Sequence, residues 1–269
     1  MIPQAYITEW QTSAPWLTDA QIEQDLVLSR ALTDIFAEPL LAKSLAFRGG
    51  TALHKLFIQP PGRYSEDIDL VQIDEGPIGP ILEALRKQLN PWLGEPKWKL
   101  KEGRATFIYR FDSENQPITP MRLKVEINTR EHFNVLGLQQ MLYEVNSRWC
   151  TNQVMVTTYA LEELLGTKLQ ALYQRKKGRD LFDLAMTLKQ FPKLDIAKLI
   201  ECFNCYMAFT KGTITQTEFA ANLAEKLQDA AFINDIFPLL PHKVNFIYDP
   251  VMEAEQIQEK LISYLGKDF

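Results

Sequence analysis

The amino-acid sequence predicts an α+β fold: a mixed β-sheet domain with flanking helices over residues 1–157, then a C-terminal helical domain over 158–269. Three observations carry this expectation. Helical and strand-like patterns interleave as far as Leu89, several segments then alternate with a period of two, and three-four spacing of apolar residues takes over at Tyr159 and persists.

Thr18-Asp19-Ala20-Gln21 has the form of a capping box and opens a helix through Ile22, Leu26, Leu28, Leu32 and Phe36. A short helical piece over 39–43 leads into a strand ending at Phe47. Gly49 and Gly50 then turn the chain into a second helical run carrying Ala52, Leu53, Leu56 and Phe57. A strand follows around Asp67 and Asp69, and Pro77 or Pro80 starts a helix that stops near Asn90-Pro91. Three strand-like runs come next, at 97–101, 105–112 and 121–128. In the last of these Leu123, Val125 and Ile127 face one way, while Arg122, Lys124, Glu126 and Asn128 face the other. Beyond Tyr159 a helix through Leu161, Leu164, Leu165, Leu169 and Leu172 ends in Arg175-Lys176-Lys177-Gly178, where Gly178 suits a C-terminal cap. Another helix begins at Arg179-Asp180, and further helices are expected at 195–209, 215–227, 230–237 and 250–265.

Bulk properties exclude several classes. With 46% apolar and 23% charged residues the chain reads as an ordinary globular protein. A formal net charge of −5 argues against a uniformly basic coat for nucleic acid but allows a local basic groove. The first residues lack a basic segment followed by an apolar one, and no apolar run approaches membrane-spanning length, so a cytoplasmic location without membrane contact is expected. Three cysteines make no disulfide framework. The pair Cys202 and Cys205 falls in a helical apolar pattern without a second ligand pair, which favours packing over metal binding. Of the scattered His54, His132 and His242, His54 lies near the glycine pair and is expected on a helix surface.

The chemistry concentrates between Phe47 and Val71. A glycine pair between a strand and a helix permits a tight turn and exposes backbone N–H groups where the helix dipole favours anions. Asp67 and Asp69 alternate with Ile68 and Leu70, so both carboxylates share one strand face, ~7 Å apart. Like charges so placed repel, and a hard divalent cation neutralises them. A phosphate cradle beside a metal-binding acid pair, with Arg63 and Ser65 just ahead of it, reads as nucleotide chemistry. Taken singly, the glycine turn and the D-x-D strand each also fit a plain structural role.

The order of these motifs resembles the nucleotidyltransferase superfamily with a DNA polymerase β-like fold, although the gap between glycines and aspartates is longer than in its compact members. The fuller strings G-G-T-A-L-x-K and R-x-S-E-D-I-D-L are similar to the AbiEii-type toxin nucleotidyltransferases of abortive-infection and type IV toxin–antitoxin systems. A second block, E-E-L-L-G-T-K-L-Q-A-L followed by R-K-K-G-R-D-L-F-D-L, extends the resemblance to Leu188. The resemblance implies a nucleotidyltransferase-like sheet and a toxin that moves an NMP from an NTP to a hydroxyl acceptor, several relatives using the 3′ end of tRNA. It also implies an antitoxin acting without a stable complex. Two Mg²⁺ ions would lie on Asp67 and Asp69, with Glu126 as the third acid. Glutamate stands where the superfamily usually has aspartate, and its longer side chain leaves metal ligand and general base both open. Gly49, Gly50 and the Thr51 hydroxyl would hold the triphosphate, with Ser65 beside them, Lys168 as a contact, and Arg63 or Arg179 as further candidates. Asp180 and Asp183 would complete the active-site face, in a cleft between the two domains. The basic run at 175–179 would meet RNA phosphates. Two other readings remain: a nucleotide sensor without turnover, and a transferase acting on a small molecule such as an aminoglycoside or on a protein.

Overall fold

The computed structural model describes residues 2–114, 117–210, 212–241 and 248–266; His242 lies outside them. The chain divides into two units, one comprising Met1–Tyr159 with Pro241–Lys243, the other Ala160–Leu240 with Val244–Phe269.

The first unit is built on a seven-stranded mixed sheet. Its strands are β1 (Leu45–Arg48), β2 (Asp67–Gln72), β3 (Lys97–Lys101), β4 (Arg104–Asp112), β5 (Pro120–Asn128), β6 (Leu138–Asn146) and β7 (Thr151–Tyr159), in the order β3-β4-β5-β2-β1-β7-β6. β2 runs parallel to β5 and β1 parallel to β7, and the other neighbours are antiparallel. Among the described residues this unit carries the α-helices α1 (Gln4–Trp10), α2 (Asp19–Ala37), α3 (Pro39–Ser44), α4 (Gly49–Ala52) and α5 (Gly79–Leu93). The expected capping box at Thr18 forms, with Gln21 closing it. α5 carries Pro80 in its first turn and continues past Pro91 to Leu93, where Gly94 at φ +75° ends it. The expected stop at Asn90-Pro91 is therefore three residues early.

Alternation puts Ile68, Leu70, Phe107, Tyr109, Val125 and Ile127 on one sheet face, all buried, where α2 and α5 pack. Each such side chain contributes about 1.5–3 kcal/mol by leaving water. Asp25 on α2 is buried and accepts hydrogen bonds from the indoles of Trp10 (2.8 Å) and Trp16 (3.1 Å) and from the Lys55 ammonium (2.7 Å). That ion pair gives the lysine of the G-G-T-A-L-x-K string its place, in the interior.

The second unit is helical: α6 (Leu161–Gln174), α7 (Gly178–Gln190), α8 (Ile196–Phe209), α9 (Gln216–Lys226), α10 (Ala230–Asn234) and α11 (Pro250–Lys260). Asp195, Thr215, Asp229 and Asp249 cap α8 to α11 from the side chain. The 230–237 and 250–265 expectations each break into an α-helix and a separate 3₁₀ turn. Gly178 is not a C-terminal cap but the first residue of α7, and a Cβ there would stand 2.0 Å from the Phe232 carbonyl oxygen. Gly166 lets α6 approach α8, since its Cβ would lie 2.7 Å from that of Cys202. Cys202 is buried and Cys205 exposed, and both are free thiols. Among the described residues no helix is long and apolar enough to cross a membrane.

Candidate active site

Strand register assembles the site in the first unit. Asp69 on β2 stands beside Glu126 on β5, Thr106 on β4 beside Glu126, and Arg48 on β1 beside Asp69. The neighbouring row places Asp67 beside Lys124. All three predicted acids therefore share one face, opposite the buried Ile68 and Leu70, because strand partners point the same way.

Cations stand among the acids. Lys124 extends its ammonium between them, 3.0 Å from Glu126 Oε2 and 3.6 Å from Asp67 Oδ2. Arg104 reaches Glu126 Oε1 at 3.3 Å. Burial raises the Asp67 carboxyl above its usual range, against the pull of Lys124. Asp69 is raised too, first by burial and then by the charges of Asp67 and Glu126. Burial opposes the Lys124 ammonium, but Asp67 and Glu126 outweigh it and lift its pKa. Three carboxylates set this close together are the electrostatic condition a divalent cation answers.

Whether a cation fits can be judged from the donors. Three carboxylates supply hard oxygen ligands, and the Lys124 ammonium stands between two of them as a monovalent counter-ion. Among the described residues no three acidic, imidazole or thiolate groups already converge into a closed cation cage. The oxygen donors are of the kind a hard divalent cation such as magnesium takes, but as they stand the three do not converge on one point.

Gly49 explains itself by contact. Its φ is +83°, and a Cβ would lie 2.6 Å from Asp69 Oδ2. The turn thus presses bare backbone against the carboxylate. The helix expected after it is only one α turn, Gly49–Ala52, which widens into a π turn over Leu53–Phe57. That leaves little aligned dipole, so close backbone approach is the turn's main asset.

Thr51 and Ser65 take a different place from the expected phosphate contacts. The Thr51 hydroxyl is buried, 2.7 Å from Ser65 Oγ, and donates to the Asp67 carbonyl at 2.5 Å. The pair ties the glycine turn to the strand that bears the acids. Arg63 is buried and donates to the Tyr64 carbonyl at 3.0 Å. His54 is not on the surface as expected: it is buried, and its Nδ1 accepts from the Gly62 N–H at 3.2 Å. These residues hold the connection into β2.

In the helical unit Asp180 and Asp183 share one face as their spacing predicts, and Lys168, expected as a triphosphate contact, stands between them instead. The buried ammonium lies 3.2 Å from Asp180 Oδ1 and 3.0 Å from Asp183 Oδ2. Arg175 adds a bidentate pair to Asp180 at 2.7 and 2.8 Å. Burial opposes ionisation of Asp180, but Lys168 and Arg175 prevail and hold its carboxyl below the usual range. Arg179 stands outside this cluster, its N–H donating to Asp235 at 3.2 Å. The basic run is paired with acids as well: Lys176 with Asp229 at 2.8 Å and Lys177 with Asp235 at 3.6 Å.

Lys124, Arg104 and Arg48 were not among the sequence candidates. Lys124 and Arg104 carry a signal available beforehand, because they share the alternation phase of Glu126 and Thr106.

The sequence profile of the family described as "Nucleotidyl transferase AbiEii toxin, Type IV TA system" matches residues 30–260. A search of curated proteins gave no match. Among solved structures, the chain resembles the nucleotidyltransferase toxin MenT4 of Mycobacterium tuberculosis, at 14% identity and TM-score 0.63, covering 100% of this chain and 91% of that one. It also resembles an H. pylori protein assigned to the nucleotidyltransferases, at 17% identity and TM-score 0.58, over 94% of this chain and 100% of that one. At such identities the likenesses establish the fold, while the profile spans most of the sequence. The chain belongs to the AbiEii family of type IV toxin–antitoxin nucleotidyltransferases.

Proposed function

We propose that this nucleotidyltransferase toxin moves a nucleoside monophosphate from an NTP to the 3′ hydroxyl of an RNA, tRNA first among acceptors, with release of pyrophosphate and in the presence of magnesium. The observation that carries the reading is the register pair Asp69–Glu126 with Asp67 on the same face, pressed against the Gly49 turn. Asp67, Asp69 and Glu126 would hold the metal. Magnesium, when bound, stabilises charge on the oxygens that enter and leave phosphorus.

The chain's own residues do the rest. The Gly49-Gly50 backbone offers N–H groups beside Asp69, and Arg48 adds a cation in the same row. Thr51 and Ser65 keep the turn at a fixed distance from Asp67. Lys124 neutralises the acids in the free chain, and once displaced from them its ammonium is close enough to meet an anionic substrate. Glu126, freed of Lys124, would accept a proton from an attacking hydroxyl or ligate the metal. Lys168 enters this reading as the partner of Asp180 and Asp183, since a triphosphate would have to compete with two buried carboxylates for its charge.

The test is acceptor labelling. Each of the four labelled NTPs is incubated with the protein and tRNA, an aminoglycoside, or no acceptor, and pyrophosphate is measured. Label on the tRNA 3′ end supports the proposal, and label confined to the small molecule or to the protein refutes it. A cognate antitoxin that prevents growth arrest without co-purifying is the matching expectation in cells.

A further inference from the structure

The carboxylate face does not end at Glu126. Following the register outward, Glu126 stands beside Thr106 and Thr106 beside Lys99; Lys124 stands beside Ile108 and Ile108 beside Lys97; Arg104 stands beside Lys101. Three lysines of the edge strand β3 therefore share the face of the three acids, two strands from Glu126 and three from Asp67 and Asp69. All five β3 residues are exposed. A groove of about 270 Å³ lies there, lined by Lys97, Lys99, Lys101, Arg104, Thr106 and Ile108, with Trp98 also contributing to it.

Among the described residues none of these three lysines has a carboxylate partner, whereas the 175–177 run is matched acid for base. In a chain of net charge −5 such an uncompensated cationic strip is specific to its location. Alternate residues on a strand lie ~6.7 Å apart, a repeat that suits successive phosphates of an extended strand. Alternation turns the Trp98 and Leu100 side chains away from the lysine row, and Arg86 stands 5.0 Å from the Trp98 ring.

We propose that Lys97, Lys99 and Lys101 form the docking strip for the sugar-phosphate backbone of a single-stranded polynucleotide acceptor, and that Arg104 and Lys124 continue it toward the acids. This rests on the RNA-acceptor reading above and adds where the acceptor lies. Contact with phosphates alone makes the binding insensitive to base sequence and steeply dependent on salt.

The experiment is fluorescence anisotropy of the full chain with a short labelled single-stranded RNA bearing a free 3′ hydroxyl, across a range of salt. The triple variant Lys97→Ala/Lys99→Ala/Lys101→Ala should bind about tenfold or more weakly, and the slope of log affinity against log salt should shrink by about two. Lys176→Ala/Lys177→Ala should bind as wild type does. Asp67→Asn/Asp69→Asn should keep RNA affinity while losing pyrophosphate release. An unchanged slope in the β3 variant, loss confined to the Lys176/Lys177 variant, or no RNA binding by wild type each overturns the proposal. Pyrophosphate release surviving in the aspartate variant would instead overturn the catalytic reading. A thermal melt of the β3 variant, expected to match wild type because the strip is exposed, guards against a folding artefact.

Discussion

The two acidic clusters of this protein look alike as text and differ as objects. On the sheet, Asp67, Asp69 and Glu126 meet one lysine directly and one arginine at the rim, and Asp67 keeps 36% of its side chain exposed. In the helical unit, Asp180 and Asp183 are fully buried and are met by Lys168 at 7% exposure, with Arg175 forking onto Asp180. The first cluster has carboxylate charge left over and access to solvent. The second has its charges matched and its acids sealed. A surplus of accessible negative charge can recruit a cation and a substrate, whereas a sealed, balanced set fixes two helices against each other.

The contrast predicts opposite consequences for comparable mutations. Asp69→Asn should lower the transfer rate on the order of a thousandfold, about 4 kcal/mol of barrier, while the melting temperature holds or rises because a like-charge repulsion is removed. Rate loss accompanied by unfolding would erase the distinction. Lys168→Met should do the reverse, costing about 3–4 kcal/mol of stability as two buried carboxylates lose the ammonium they face. Denaturant titration checks it, and a stable but inactive protein would move Lys168 from packing to chemistry.

Gly49→Ala sharpens the same comparison from the backbone. The positive φ and the approach to Asp69 should together cost roughly 1–3 kcal/mol, and the activity loss should exceed what that instability explains, since the carboxylate must move. Acid sets a further test. The Asp180 carboxyl is held below its unfolded range, so its contribution is present above the unfolded pKa and is lost as pH falls through the folded one. Glu23 works the other way. Buried on α2, it is pushed up to about 7, so its contribution is present below the unfolded pKa near 4.5 and fades as pH rises toward 7. Glu23→Gln should therefore flatten the stability–pH curve between those values, by up to about 3 kcal/mol. The smallest effect belongs to Lys176→Ala, which removes an exposed pair with Asp229 and should leave the melting temperature unchanged.

How much was legible in the sequence follows the strength of local pattern. β5 alternates cleanly, and its register with β2 makes the acid face real. The glycine turn and the capped helices of the second unit were legible for the same reason. β6 and β7 were not, because β6 exposes Leu142 and β7 opens on Thr151, Asn152 and Gln153, which blurs the period of two at that side of the sheet. The candidate site was legible where chemistry and alternation coincide, at Asp67 and Asp69. Residue type alone did not reveal the bonds that the expected phosphate contacts make within the chain. Thr51, Ser65 and Arg63 have the right groups, yet they are turned to backbone carbonyls and to each other, and only the three-dimensional fold decides that.

The most direct test of the sheet-face account is the magnesium dependence of pyrophosphate release from NTP in the presence of tRNA, wild type against Asp67→Asn/Asp69→Asn. The account predicts saturable activation by magnesium in wild type and no activation at any concentration in the variant, with both proteins folded. Equal release from the two, or full wild-type release after chelation of divalent ions, would contradict it.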